Sequence, residues 1–342
     1  MLKFGLCAFV CAFSMVVGSA FSPASANPIA DFYQGKVLTL LTYSSGGGND
    51  VLARLIARYM PKYIPGNPTI VVKAMLGAGG VTQANYLYNS ASRDGTIFGT
   101  VNRGTAFVRL FGSPGAQFDA LKFNWLGNAT RDTQLGAAMS TSKVKTVEDA
   151  ITNELVVGAT APDGETAQVP KLLNATVGTK FKVITGYSGG SDILLAMQRG
   201  EVAGRISWTY ESLASTKPEW VTDGTINILF QSGRAPHSKL PNVPLVLDYA
   251  KGPLERQIME LLFTKLDLAR PYVLPPDVPQ ERVVAMQKAF IETMRDPEFV
   301  EAATKMQIEI SAIDGEATRA IVEKAINSPP EVVAKIREIL GN

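Results

Sequence analysis

The stretch from residue 37 to residue 50 reads VLTLLTYSSGGGND and decides the fold class. Its first part, Val37 to Tyr43, is rich in aliphatic and β-branched residues, which predicts a buried strand. The serines and glycines that follow break the strand, and from Val51 to Met60 apolar residues recur at helical spacing. Asn49 or Asp50 is expected to cap that helix. The stretch therefore predicts a strand, a glycine-rich loop and a helix in succession.

The same order of elements recurs along most of the chain. Further strands are predicted at 69–72, 96–101, 154–158, 181–184, 201–207 and 226–230. Helices are predicted at 81–89, 166–175, 192–200, 282–294, 297–306, 315–326 and 330–340. Strands that alternate with helices in this way predict an α/β architecture, in which parallel sheets are covered by helices on both faces.

Composition limits the function classes to which the chain can belong. With 342 residues, of which 46% are hydrophobic, a chain with two well-packed domains is expected. The 33 basic and 31 acidic side chains are evenly spread, which excludes the clustered basic face that nucleic acid requires. One histidine and two cysteines leave almost no material for a zinc site or a cysteine–histidine pair. We therefore predict no metal, no cofactor and no catalytic residue.

The first 26 residues have the layout of a secretory signal peptide. One lysine supplies the positive charge, residues 4–17 form a short apolar segment, and residues 24–26 (ASA) provide a cleavage site. The apolar segment is shorter than the ~20 residues of a membrane-spanning helix. Both cysteines, Cys7 and Cys11, lie in this segment, so the mature chain is expected to contain none. Cleavage near Ala26 predicts an exported, periplasmic protein, the alternative being a buried N-terminal helix.

Two glycine-rich loops stand where a predicted strand passes into a helix, at 43–50 and at 186–192. In open α/β sheets, ligands bind beyond the carboxyl ends of the strands, where helix amides and the helix dipole attract an anion. Glycines let the main chain approach such a ligand, and serine hydroxyls add donors. The first loop has Asn49-Asp50 where a phosphate-binding P-loop requires lysine and a hydroxyl residue. With a third loop at 160–166, the pair predicts a cleft for a small carboxylate, the alternative being ordinary helix-capping turns.

Two further side chains are candidates for the cleft. Arg103 follows the strand predicted at 96–101, and its guanidinium can bind a carboxylate through two parallel hydrogen bonds. A solvated surface charge is the alternative. Trp208 follows another predicted strand and can stack on an apolar or ring-bearing ligand, unless it belongs to the core beneath the hinge.

The pattern Tyr-x-x-Gly-Gly-Gly-x-Asp-x-x-Ala-Arg, from Tyr43 to Arg54, resembles the opening signature of the Bug-type periplasmic solute receptors. These receptors serve tripartite tricarboxylate transporters. The resemblance continues in the expected order over nearly the whole mature chain. It includes segments at 77–80, 94–96, 186–189, 200–204 and 240–244, together with Arg234.

The resemblance implies an α/β chain with a two-lobed periplasmic-binding-protein (flytrap) fold, in which each lobe is a mainly parallel sheet flanked by helices. Lobe one is expected to comprise residues 27–136 and 231–342, and lobe two residues 137–230. A small carboxylate or amino-acid-like ligand is held between the lobes of a monomer and passed to one large and one small integral membrane subunit. Service to a two-component sensor is an alternative to uptake.

The three loops, the two further side chains and the resemblance together give the expected ligand-binding residues. They are Tyr43, Ser44, Ser45, Gly46, Gly47, Gly48, Asn49, Asp50, Arg103, Thr160, Asp163, Gly164, Thr166, Tyr187, Ser188, Gly189, Gly190, Ser191 and Trp208. The chain departs from the family at Ser188, where lysine is common, and at Asp192, where proline is usual. A less cationic second loop predicts a monocarboxylate, an amino acid or another weakly anionic solute, unless Asp192 only caps its helix.

A secreted serine-dependent hydrolase or transferase is the alternative function, with Ser44, Ser45 or Thr160 as its nucleophile. Such an enzyme needs a base beside the nucleophile, and the chain has no Gly-x-Ser-x-Gly elbow and only one histidine. That histidine, His237, lies in a polar connection and is expected to be exposed to solvent. The sequence therefore favours the receptor.

Overall fold

The computed structural model describes residues 1–2, 27–107, 110, 115–162 and 164–341. Apart from its first two residues, the predicted signal peptide lies outside the described residues, together with Cys7 and Cys11. The predicted ligand-binding residue Asp163 lies outside them as well. Among the helices in the described ranges, none combines the length and the apolar character that crossing a bilayer requires.

Strands and helices alternate along the described chain. The strands are β1 (Val37–Thr42), β2 (Thr69–Ala74), β3 (Ile97–Thr100), β4 (Asn124–Asn128), β5 (Gln134–Met139), β6 (Glu154–Gly158), β7 (Lys180–Ile184), β8 (Gly204–Thr209), β9 (Ile226–Ser232), β10 (Pro271–Leu274) and β11 (Ile313–Asp314). The helices are α1 (Pro28–Tyr33), α2 (Gly47–Tyr59), α3 (Val81–Asn89), α4 (Val147–Thr152), α5 (Glu165–Thr176), α6 (Gly190–Arg199), α7 (Tyr210–Thr216), α8 (Pro253–Thr264), α9 (Gln280–Arg295), α10 (Pro297–Lys305), α11 (Gly315–Ile326) and α12 (Pro330–Leu340). Short 3₁₀ turns occupy Met60–Tyr63, Ala78–Gly80, Thr105–Phe107, Ala120–Lys122, Pro218–Val221 and Val246–Tyr249.

The strands form two sheets. The first has the order β11-β4-β10-β3-β1-β2, in which β1 is parallel to β2 and β3, whereas β10 is antiparallel to both of its neighbours. The second has the order β7-β6-β8-β5-β9, in which β6 is parallel to β7 and β8, whereas β5 is antiparallel to β8 and β9. The predicted two-lobed α/β architecture is confirmed, with one sheet in each lobe.

Both sheets are mixed rather than mainly parallel, because they include strands that the sequence pattern does not reveal. β10 is four residues long, begins with proline and is buried throughout, so it lacks the alternation that marks a strand. β5 reads QLGAAM and contains small residues of low strand propensity. The second sheet begins at Gln134 and ends at Ser232, so the lobe borders expected at 136/137 and 230/231 fall inside β5 and β9.

The helices confirm several predicted boundaries and correct one predicted cap. α3, α11 and α12 have the predicted bounds. α2, however, begins at Gly47 after Gly46, whose φ of +79° suits glycine, and no side chain caps it. The capping role expected of Asn49 or Asp50 is therefore wrong, because both residues lie inside the first turn and use their side chains elsewhere.

Three hydrophobic cores hold the elements together. One lies between the first sheet and the helices α1, α2, α9 and α10, and another lies between the second sheet and α6. The largest covers the other faces of both sheets and continues through α5, α8 and α12, which pack against one another. α5 is thus fixed by apolar contacts with α8 and α12, which follow the second sheet in sequence, and its first residue lies at the loops described next.

Candidate functional site

Three helices begin where parallel strands end. β1 leads into α2, β6 into α5 and β7 into α6, and the residues that precede these helices are Gly46, Gly164 and Gly189. No side chain accepts a hydrogen bond from the first turn of any of the three. Among the other described helices, side-chain oxygens cap α1, α4, α7, α10 and α11, whereas α3, α8, α9 and α12 also begin without a side-chain cap but do not start at the three loops. The amides that begin α2, α5 and α6 therefore lack a side-chain acceptor at the positive ends of their helix dipoles.

The first loop, residues 43–50, holds polar groups that are buried but only partly satisfied. The Asn49 amide nitrogen donates a hydrogen bond to the Tyr43 hydroxyl, whereas Asn49 Oδ1 and Ser44 Oγ are buried without a partner. Asp50 pairs along the helix with Arg54 at 3.0 Å, so its carboxylate is already engaged. Ser45 and Gly46 are exposed. Because buried polar atoms normally have a partner, the first loop offers free hydrogen-bonding capacity to a ligand.

Arg103 joins the two lobes. It follows β3 of the first sheet, and its Nη1 lies 2.5 Å from Asp132 Oδ2. Its Nη2 lies 2.5 Å from Oε2 of Glu165, which is the first residue of α5. Lys265 Nζ lies 2.6 Å from the other oxygen of Glu165, and Gln134 donates to the same carboxylate at 2.9 Å. The guanidinium predicted to bind the ligand is therefore engaged by two carboxylates of the protein itself.

Electrostatics in this network favour the ionised state of Glu165. Burial alone raises the pKa of Glu165, but the charges of Lys265 and Arg103 outweigh burial and lower the pKa to about 2. The charge of Arg103 also acts on the first loop. Burial raises the pKa of Tyr43, whereas the charges of Arg103 and Arg270 act in the opposite direction. A Cβ atom at Gly48 would lie 2.9 Å from Arg270 Nη2, which places that guanidinium against the start of α2. An electrostatic interaction thus links the first loop to Arg103, which pairs with Glu165 at the start of α5.

The second and third loops are tied to each other in the second lobe. The Gly186 amide donates to the Thr160 carbonyl at 2.8 Å. Thr166 Oγ1 accepts from the Thr160 amide at 3.0 Å and lies 3.1 Å from the Thr160 hydroxyl, so it closes the third loop on itself. Ser188 and Ser191 are exposed, and Tyr187 packs partly buried against the core of the second sheet. The structure therefore brings the loops at 160–166 and 186–191 together at one edge.

The structure settles the position of Trp208, which the sequence leaves open, and corrects that of His237. Trp208 is fully buried and packs edge to face with Trp220, with ring centroids 6.3 Å apart, so the structure places it in the core. His237 is not the exposed residue expected, because its side chain is only 9% exposed and its ring lies 4.4 Å from that of Tyr210. Burial accordingly lowers the pKa of His237.

Three site residues escape the loop motifs, whereas Glu165, the first residue of α5, lies within the third loop at 160–166. Lys265, Arg270 and Arg205 come from a turn after α8, the residue before β10 and a strand interior. These three are brought to the loops by the pairing and packing of distant segments, for which a single sequence carries no local signal.

The described residues of the site offer few groups for metal binding or nucleophilic catalysis. Within the ranges that the structure describes, no group of three or more histidine, cysteine or acidic side chains could hold a metal ion. The Thr160 hydroxyl faces Thr166, and in the described part of the chain neither the Ser44 nor the Ser45 hydroxyl is hydrogen-bonded to a base. The arrangement offers amide and hydroxyl donors to an anion rather than an activated nucleophile.

The fold defines a class. No protein-family model and no curated protein sequence matches this chain. Solved structures of periplasmic binding proteins do match it over nearly their whole length, so the chain has the two-lobed fold of that class.

Three of these structures can be named. A TctC solute binding protein from Polaromonas, solved without ligand, gives a TM-score of 0.69 at 16% identity and covers 90% of this chain and 99% of its own. The periplasmic binding protein BugD gives 0.60 at 17% identity, with coverages of 90% and 98%. An R. palustris protein solved with adipate gives 0.61 at 18% identity, with coverages of 90% and 97%. These are proteins to which the chain is similar in fold.

Proposed function

We propose that this chain is a non-catalytic, extracytoplasmic solute receptor that binds a small carboxylate between its two lobes and delivers it to a tripartite tricarboxylate-type transporter. The observation that carries the proposal is the set of three helices, α2, α5 and α6, that begin without a side-chain cap at neighbouring loops. An anion at such helix starts accepts hydrogen bonds from main-chain amides. The similar structures include proteins named as solute or periplasmic binding proteins, and one of them holds adipate.

Binding is expected to favour the closed arrangement of the lobes. A carboxylate that contacts α2 in one lobe and α5 or α6 in the other gains its full set of hydrogen bonds only when the lobes are together. It therefore shifts the population toward closure. Closure also excludes water, which strengthens the amide hydrogen bonds. In this proposal the donors are main-chain and hydroxyl groups of residues 44–49, 160–166 and 186–191, while Arg103 acts through Glu165 rather than on the ligand.

The cellular setting forms part of the proposal. The receptor works as a periplasmic monomer after its signal peptide is removed near Ala26, and its closed form is recognised by one large and one small membrane subunit. The border between the lobes falls near Gln134, where β5 begins, and near Ser232, where β9 ends, because the second sheet lies between those two residues.

Native mass spectrometry of freshly purified protein, followed by calorimetric titration of any acid found, tests binding. Gly189→Trp supplies the matched perturbation, since φ is −173° and a Cβ there meets nothing within 4 Å, so the fold should tolerate the change. We expect Gly189→Trp to abolish binding by filling the second loop. Gly115→Trp lies outside the three loops at a glycine where no described residue comes within 4 Å of an added Cβ, and it should bind normally. A folded Gly189→Trp variant that titrates like the parent would refute the proposal.

A further inference from the structure

Arg205 lies at the loop-bearing edge of the second sheet. β6 and β8 are parallel and pair at Val157 and Gly204, so Arg205 stands beside Gly158, the last residue of β6. The chain leaves the sheet at Gly158 for the third loop. Arg205 is partly exposed, and it lies beneath the start of α6, which follows the second loop.

The Arg205 guanidinium contacts the second loop but has no counter-ion. Its Nη1 donates to the Gly190 carbonyl at 3.3 Å, and a Cβ at Gly190 would lie 2.7 Å from Nη2. The guanidinium carbon lies 5.0 Å from the centre of the Trp208 ring, and Nε is buried without a hydrogen-bond partner. Burial lowers the pKa of Arg205 to about 10, and no acidic side chain of the described ranges offsets this.

Two other cations near the loops are already neutralised. Arg103 pairs with Asp132 and Glu165, and Lys265 pairs with Glu165, so two cations and two carboxylates balance in that network.

Arg205 has no ion pair within the described ranges, and Asp192, the nearest acidic residue along the second loop, is exposed without one. Arg270 also lacks an ion pair in those ranges, but it lies against the start of α2 in the first lobe and donates to Thr130 Oγ1 at 3.0 Å. The second loop therefore has a cation beside it that no carboxylate of the described residues neutralises.

The position of Arg205 is unfavourable unless an anion joins it. A cation beside the first turn of a helix faces the positive end of the helix dipole. A partly buried charge without a partner also loses hydration that nothing replaces. Trp208 compensates part of this loss through a cation–π contact. A ligand anion bound between the guanidinium and the start of α6 would relieve both costs.

We propose that Arg205 is a specificity-determining residue that selects ligands with a second negatively charged group. The inference rests on the proposed receptor function, in which the first anionic group is held by main-chain amides. It reverses the expectation of a weakly anionic solute drawn from Ser188 and Asp192, because the sheet supplies under the second loop the positive charge that the loop sequence lacks. The ligand class is then a small dicarboxylate or a carboxylate with another anionic end.

Calorimetric titration with glutarate, adipate and pimelate, each beside its own monoamide, tests this selection. The monoamide keeps the length and one charge, so the affinity ratio within each pair isolates the second charge. We expect the parent to bind at least one dicarboxylate about tenfold or more tightly than its monoamide, as a charge-assisted hydrogen bond to a desolvated arginine implies. Arg205→Met should bring that ratio close to one, and Arg205→Lys should keep part of it.

Arg199→Met is the matched control, because Arg199 lies at the far end of α6 with a side chain that is 69% exposed. It should leave the ratio unchanged, and near-ultraviolet circular dichroism should show that each variant keeps its tertiary packing. Equal affinities of the parent for acid and monoamide, an unchanged ratio in Arg205→Met, or no binding of any compound in the series would overturn the role of Arg205. If the parent instead binds a monocarboxylate or an amino acid, the receptor function survives and only the role of Arg205 falls.

Discussion

The first and second glycine loops have similar sequences but differ in how the tertiary structure uses them. In the first, Asn49 is hydrogen-bonded to Tyr43 and a serine hydroxyl is buried. In the second, Ser188 and Ser191 are exposed, and the fixed polar group is a guanidinium from β8. The comparison teaches that the first loop is ordered by its own side chains. The second takes its charge from the sheet beneath it.

Glu165 connects the lobes that carry these two loops, and its removal should have the largest effect on stability. Glu165→Ala leaves Lys265 without an acidic partner and Arg103 with only Asp132. Because unpaired charges in a largely buried site are costly, we expect the free energy of unfolding to fall by about 3 kcal/mol in urea titration. Glu154→Ala removes an ion pair of which Glu154 is 61% exposed, and it should change stability by less than about 0.5 kcal/mol. Similar values for the two variants would show that the link between the lobes is not structural.

Glu211 allows a test by pH, because its pKa is shifted in the direction opposite to that of Glu165. It lies in α7 of the second lobe, and burial, aided by Asp132 and Glu309 and opposed by Arg270, raises its pKa to about 7. Because the pKa of Glu211 is raised, the contribution of its protonated form to stability is complete below about pH 4.5 and is lost as the pH rises through about 7. The contribution of Glu165, whose pKa is lowered, is present above about 4.5 and lost as the pH falls toward about 2.

We therefore expect Glu211→Gln to flatten the decline in unfolding free energy between pH 4.5 and pH 7, measured by urea titration at several pH values. The parent and Glu165→Ala should both keep that decline. An identical slope in the parent and in Glu211→Gln would contradict the assignment.

Tyr43→Phe gives the smallest expected effect and compares the loops directly. It removes the acceptor of the Asn49 amide, which leaves a partly buried donor unpaired. We expect a loss of about 1 kcal/mol in unfolding free energy. Tyr187→Phe makes the same change in the second loop, where no described residue bonds the hydroxyl, and should cost less than about 0.5 kcal/mol. Equal losses would mean that the first loop is no better ordered by its side chains than the second.

Much of the fold could be predicted because strand and helix patterns are local. β6, α3, α11 and α12 have the predicted bounds, since aliphatic runs and helical spacing report burial of one face directly. β4, β5, β10 and the mixed character of the sheets could not be predicted. These strands are short and buried on both faces, so periodicity is absent, and their pairing joins residues far apart in the chain.

For the candidate site as well, the local features could be predicted from the sequence and the long-range contacts could not. The sequence by itself determined that glycine-rich loops would follow strands and open helices, because glycine, serine and aliphatic runs fix those local conformations. Only the tertiary structure decided that Arg103 would form an ion pair with Glu165 and that Trp208 would lie in the core. It also decided that Arg205 would lie under the second loop without a carboxylate partner among the described residues. Charge pairing depends on distances of a few ångströms between segments remote in sequence, and sheet packing sets those distances.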